Sequence, residues 1–175
     1  YPFDTRLNSG QVLEIPRLAD FSLNMPDIKR AVQNAHPKVL FITSPNNPDG
    51  GLPPRSQVEA LLDLPVLVVV DEAYIEFSQA GGRLGEMLTF LPQVAVRQNL
   101  VVLRTFSKWA GLAGLRVGYG AFPEWLLPAL WKAKQPYNVN VAGSAAAVAS
   151  LNDLDFLAGN IARLRAERAR LYDVL

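Results

Sequence analysis

Cysteine is absent from the 175-residue sequence, which excludes disulfides and thiolate metal sites and leaves the compartment open. Charge of one sign is also missing. Lys and Arg number 17 against 16 Asp and Glu, a net charge of +1, so nothing in the balance marks a nucleic-acid face or an anionic membrane target. The longest apolar runs, such as Leu64 to Val70, fall far short of the roughly 20 residues that cross a bilayer as a helix. Residues at the start show no basic-then-apolar leader. Internal repeats and low-complexity tracts are absent. The single histidine, His36, precedes Pro37 ahead of a predicted strand and reads as structural or solvated. Asp49, Asp71 and Glu72 lack the spacing of a metal cage, so no metal site is expected. Trp109, Trp125 and Trp131 read as core or interface rather than base-stacking groups, in a chain with no basic excess.

What is present is a large apolar fraction: half the residues are hydrophobic, enough for one domain with a sizeable core. Tyr1 to Gly10 is compatible with a helix end or a loop, and Gln11 to Ile15 reads as a strand halted by Pro16. Asn24 to Ala35 begins with a capping Asn and Met25-Pro26-Asp27, and places Ile28, Val32 and Ala35 at helical spacing. Lys38 to Thr43 reads as a strand, Ser44 to Gly51 as a dense turn cluster, Arg55 to Leu62 as a helix, and Val66 to Val70 as a buried strand ending at Asp71. A polar loop at Ser78 to Arg83 and a short helix at Leu84 to Leu91 follow. Leu100 to Arg104 and Arg116 to Ala121 read as strands. Only about ten residues separate these two, too few for a parallel crossover, so the second is expected to run antiparallel. Pro123 to Lys132 and Val141 to Leu151 read as helices. From Asp155 a long helix carries Leu157, Ile161, Leu164, Leu171 and Leu175 on one face, with Arg168 breaking the stripe and leaving the last two turns partly buried.

Strands alternating with helices indicate an α/β fold, a three-layer α/β/α arrangement with a mostly parallel sheet and one antiparallel strand. In such sheets ligands bind beyond the carboxyl ends of the strands. Asn47, Asp71 and the Thr105 to Lys108 loop each follow one of three predicted strands, so they are expected to converge on one edge. The richest stretch runs from Arg104 to Tyr119. Thr105, Ser107 and Arg116 suit a phosphate, because hydroxyls and a planar guanidinium donate to its oxygens. Lys108 suits an aldehyde, because a neutral amine adds to a carbonyl. Pyridoxal phosphate carries both groups. Taken singly, each residue has a plainer reading: a solvated lysine, a capping aspartate, a tight Asn-Asn-Pro-Asp-Gly turn, hydroxyls that cap a helical turn, an arginine paired at the surface.

Ser44-Pro45-Asn46-Asn47-Pro48, Asp71-Glu72-Ala73-Tyr74-Ile75-Glu76-Phe77, Arg104-Thr105-Phe106-Ser107-Lys108 with Gly111-Leu112-Ala113-Gly114-Leu115-Arg116-Val117-Gly118-Tyr119, and Gln135-Pro136-Tyr137-Asn138-Val139 come in that order. Together they resemble the signature segments of fold-type I pyridoxal-phosphate aminotransferases, and within them the histidinol-phosphate aminotransferase subfamily. The resemblance covers nearly the whole chain. It implies pyridoxal 5'-phosphate as cofactor, with Lys108 holding its aldehyde and shuttling a proton, and Asp71 pairing with its ring nitrogen. It further implies Asn47 and Tyr74 bonded to the ring oxygen, Thr105, Ser107 and Arg116 on the phosphate, and Tyr1 near the position of a ring-stacking aromatic. Lys108, Asp71 and Tyr74 would be the catalytic set. Asp49 stands where relatives commonly have threonine, with little chemical consequence expected. Gly111 and Gly114 are expected to let the backbone turn tightly between Lys108 and Arg116.

The resemblance also implies a homodimer, a cytoplasmic location, and a small-molecule amino donor with a 2-oxo acid as substrates, histidinol phosphate and 2-oxoglutarate in the first place. Neither nucleic acid nor membrane is an expected partner. Residues 1–150 would be part of a large cofactor-binding domain, and 151–175 a helix leading toward a C-terminal small domain. Tyr1 is not an initiator methionine and the chain stops within a helical pattern, so a piece of a longer protein is expected. Three alternatives stay open: an aromatic-amino-acid aminotransferase, an amino-acid-phosphate decarboxylase, or a cofactor-binding regulatory module.

Overall fold

The computed structural model describes residues 1–78 and 88–175. The described residues form one sheet of four strands in the order β1 (Val39–Thr43), β2 (Leu67–Asp71), β3 (Leu100–Thr105) and β4 (Gly118–Ala121). The first three are parallel, and β4 runs antiparallel to β3, as the short connection requires. Thr43, Asp71 and Leu103 are register partners across the three parallel strands, so those strands end at one edge.

Strand residues alternate between faces, and this sorts the layers. Ile42, Val68, Val70, Leu100 and Val102 share one face. They pack with Ile28 and Val32 of α2 (Met25–Ala35), with Val58, Leu61 and Leu62 of α3 (Arg55–Leu62), and with Phe90 and Val94. Burying each such side chain contributes about 1.5–3 kcal/mol. By the same alternation Phe41, Val69 and Val101 face the other way. Past the end of β3, Phe106 and Trp109 form a second cluster with Val117, which precedes β4, with Ala147 of α6 (Val141–Asn152) and with Leu157 and Ile161 of α7 (Leu154–Val174).

Local chemistry explains the elements. At α2 the Asn24 side chain accepts from Asp27 N at 3.3 Å, Pro26 occupies the first turn, and His36 ends the helix in the left-handed region at φ 47°. Such a cap contributes about 1 kcal/mol. Tyr1 to Gly10 resolves into a short helix, α1 (Pro2–Leu7). Gln11 to Ile15 is not a strand: these residues have no partner strand among the described residues, and an extended segment without a ladder gains nothing from its β-branched side chains.

After β2 the chain forms the short helix α4 (Ile75–Ser78). Most of the expected polar loop at Ser78 to Arg83, and the first half of the expected helix at Leu84 to Leu91, lie outside the described residues; Leu91–Ala95 is a 3₁₀ turn. Pro123 to Lys132 opens with a 3₁₀ turn and continues as α5 (Leu127–Ala133). Along α7 only Leu157 and Ile161 are buried, whereas Leu164 and Leu171 are exposed, so burial stops well before Arg168. No described helix is long and apolar enough to cross a membrane.

Candidate functional site

The turn after β1 separates two neighbouring asparagines. Asn46 is buried: its Oδ1 accepts from Thr43 Oγ1 at 2.6 Å, its amide reaches Asp49, and its backbone pairs with Gly50 and Gly51. Asn47 is exposed, and both asparagines line a cavity of about 210 Å³ with Pro45, Pro48, Tyr74, Phe77 and Arg168. Asp49 has a structural part, accepting from Gly51 N at 2.8 Å as well as from Asn46. The Asn46 bond is the first reason its carboxyl lies below the usual carboxylate range.

At the end of β2, Asp71 Oδ1 accepts from Ala73 N at 3.0 Å, an Asx turn that starts the chain back toward α4. Its other oxygen accepts from the Tyr1 hydroxyl. Burial and the Asp71 carboxylate push the Tyr1 phenol well above its ordinary range. The Tyr1 ring stacks on Phe41 of β1, with centroids 4.4 Å apart and planes at 13°, so its aromatic partner in this structure is Phe41. Tyr74 stands three residues beyond Asp71, and the Lys108 ammonium lies 5.2 Å from the centroid of its ring.

After β3, Thr105 Oγ1 accepts from Ser107 N at 3.0 Å and donates to Val117 O at 3.3 Å, so this hydroxyl is engaged in shaping the loop. Ser107 is half-buried and Lys108 exposed. Gly111 adopts φ +70°, which only glycine takes without strain, and this is the tight turn expected there. Gly114 differs from expectation: it lies in a 3₁₀ turn with φ outside the left-handed region, and a Cβ on it would meet nothing within 4 Å. Arg116, by contrast, is left-handed at φ 56° and ψ 49°, a conformation costing a non-glycine residue roughly 1–2 kcal/mol. Its Nη1 donates to Ala113 O at 3.0 Å, and among the described residues it makes no side-chain hydrogen bond to Thr105 or Ser107. Tyr137 and Asn138 are exposed, while Asn140 caps α6 by accepting from Gly143 N at 2.7 Å. Trp109 is buried as expected, and Trp125 and Trp131 are exposed.

The sequence reading missed a buried ionic cluster behind these residues. Glu72 and Arg104 have the parity of Val70 and Val102, so they face the first core and not the side of Asp71 and Thr105. Arg104 Nη1 lies 3.3 Å from Glu72 Oε2, and its Nη2 lies 2.5 Å from Glu76 Oε1 on α4. Glu72 also accepts from Thr89 Oγ1 at 2.5 Å and from Phe90 N at 2.7 Å. Burial raises both glutamates above the ordinary range, against the pull of Thr89 and Arg104 at Glu72 and of Arg104 at Glu76. Part of the signal was available: Glu76 sits between Ile75 and Phe77, and Arg104 ends an apolar run from Leu100 to Leu103, where a lone charge is costly.

One edge of the sheet thus gathers a carboxylate, a carboxamide, a phenol and a primary amine, followed by two hydroxyls and the guanidinium of Arg116. Lys108, Tyr74 and Asn47 meet directly or around one cavity, with Asp71 at the base of the same turn. That donor set fits a small ligand with a carbonyl, a cationic ring nitrogen and an anionic ester. Fold and site therefore define a ligand-binding α/β domain of the kind built for covalent carbonyl chemistry.

The chain belongs to the family described as aminotransferase class I and II, which it matches over residues 1–175. It is 48% identical over 175 residues to the chloroplastic histidinol-phosphate aminotransferase of Nicotiana tabacum, covering 100% of this chain and 41% of that protein. It is 48% identical over 171 residues to the histidinol-phosphate aminotransferase of Roseiflexus castenholzii, covering 98% of this chain and 44% of the relative. Among solved structures, the histidinol-phosphate aminotransferase of Sinorhizobium meliloti in complex with pyridoxal-5'-phosphate superposes with a TM-score of 0.85 at 29% identity, over 98% of this chain and 47% of that one. The chain thus spans less than half the length of these relatives.

Proposed function

We propose that the protein carrying this chain moves the amino group of histidinol phosphate onto 2-oxoglutarate, yielding imidazole acetol phosphate and glutamate, with pyridoxal 5'-phosphate as cofactor. The observation that carries this reading is the 48% identity to a histidinol-phosphate aminotransferase along all 175 residues, the site segments included. The donor set supports the cofactor: its aldehyde, ring and phosphate each have a chemical match on the sheet edge.

When bound, the cofactor supplies a carbonyl that captures amines and a ring that accepts electrons. The rest of the chemistry belongs to this chain. Lys108 Nζ would hold the aldehyde and, once the substrate amine has displaced it, would accept the proton from the amine-bearing carbon of the substrate. Asp71 offers its carboxylate to the protonated ring nitrogen. Asn47 and Tyr74 donate to the ring oxygen, and the Tyr74 ring supports the ammonium of Lys108. Ser107 and Arg116 hold the phosphate, Thr105 shapes the loop that presents them through its bonds to Val117 O and Ser107 N, and Tyr1 supplies an aromatic ring beside Asp71. Arg116→Ala is expected to weaken cofactor retention by about 1.5–3 kcal/mol, the range for a hydrogen bond to a charged group. Titrating the cofactor-free protein with pyridoxal phosphate, followed by tryptophan fluorescence, measures it. Unchanged affinity would remove Arg116 from the phosphate site.

A homodimer in the cytoplasm completes the proposal, and sedimentation of the full-length protein reads the first part. The deciding experiment offers that protein histidinol phosphate or an aromatic amino acid with 2-oxoglutarate. Faster transfer from histidinol phosphate is expected. Preference for the aromatic donor, release of carbon dioxide, or cofactor binding without turnover would each install one of the three alternatives instead.

A further inference from the structure

The segment from Glu72 to Glu76 leaves β2 and enters α4 with Tyr74 at its middle. One guanidinium grips both ends of it: Arg104 reaches Glu72 at 3.3 Å and Glu76 at 2.5 Å. Arg104 lies at the end of β3, on the same strand-to-loop passage that leads four residues later to Lys108. Lys108 Nζ in turn sits 5.2 Å from the Tyr74 ring centroid. The two segments that meet at Lys108 and Tyr74 are therefore tied a second time by the Arg104 fork.

We propose that Arg104, with Glu72 and Glu76, is a positioning set that holds the Tyr74 ring and the Lys108 amine in their working arrangement. This rests on the transamination reading above. A core built for stability alone gains little from such a set, since apolar replacements of buried ion clusters are often neutral or stabilising. This cluster is also unbalanced, because two carboxylates face one guanidinium. Glu76 Oε2 and Arg104 Nε are buried with no hydrogen-bond partner among the described residues. What the unbalanced arrangement does provide is geometry, because a planar fork fixes two acceptors in one plane where a lysine would fix one.

Glu76→Met in the full-length protein separates the two roles. It leaves Glu72 and Arg104 as a neutral pair, so the fold is retained, while the far end of the Tyr74 segment is released. In the cofactor-free protein, amide exchange across residues 72–78 should quicken. In the loaded protein, the intensity ratio of the cofactor's two visible bands should change at fixed pH. The kcat should fall on the order of tenfold with KM little altered, the expected result of slight misplacement at a reacting group. Glu76→Gln should restore all three, because its amide oxygen still accepts from Arg104. A lowered melting temperature in Glu76→Met with exchange, band ratio and kcat all as in the parent would overturn the proposal, as would a Gln variant no better than Met. Failure of the parent to bind the cofactor would defeat the transamination reading instead, and the exchange measurement would still decide the positioning role.

Discussion

Lys108→Ala should reduce amino transfer by the full-length protein by at least roughly 10⁴-fold, the upper end of what a positioned proton-transfer group contributes. The same substitution should eliminate the borohydride-reducible linkage to the cofactor, because alanine offers no amine to the aldehyde. Stability should hardly change. Lys108 is exposed, and its described contact is the face of Tyr74, so its removal is expected to stay within about 0.5 kcal/mol of the parent. Absorbance, borohydride reduction and a melting curve on one preparation measure all of this. A variant that keeps a reducible linkage would move the covalent role to another lysine.

Asp71→Asn is expected to behave differently. The amide keeps an oxygen for the Ala73 N–H, bonded to Oδ1 at 3.0 Å, so the turn toward Tyr74 persists, while its NH2, in place of the oxygen that accepts from the Tyr1 hydroxyl, can donate to that hydroxyl oxygen. What is lost is the negative charge that would face the ring nitrogen. Removing one preorganised electrostatic partner typically costs about 10²- to 10³-fold in rate. The reducible linkage should survive, since Lys108 is intact. Single-turnover reaction with the amino donor, followed by the visible band, measures the rate. Transfer as fast as in the parent would mean that the carboxylate serves the turn alone. Lost linkage with Lys108→Ala, against kept linkage and slow transfer with Asp71→Asn, is a pattern that general destabilisation does not produce.

Much of the fold was legible because it is local. The cap at Asn24, the left-handed turn at Gly111 and the strand runs at β1, β2 and β3 each follow from a few neighbouring residues. The antiparallel direction of β4 followed from the length of one connection. Gln11 to Ile15 failed as a strand because a strand is a relation between two segments, and the second was absent among the described residues. Gly114 was assigned a turn that Gly111 makes alone. The long helix α7 shows the same limit: its apolar stripe continues, but the layer it packs on ends near Ile161.

By itself the sequence determined the order of elements, the sheet edge on which Asn47, Asp71, Tyr74 and Lys108 would gather, and the chemical character of the site. Those depend on residue type and spacing, which short-range sterics and period-two alternation translate directly. Only the tertiary structure decided which of two adjacent asparagines is buried in the turn and which stays exposed. Only it showed that the Thr105 hydroxyl shapes its own loop, and that Glu72, Glu76 and Arg104 meet in the core. The reason is physical: a hydrogen bond or ion pair across some thirty residues is chosen by competition among all buried polar groups for partners, and that competition is settled only when the layers close.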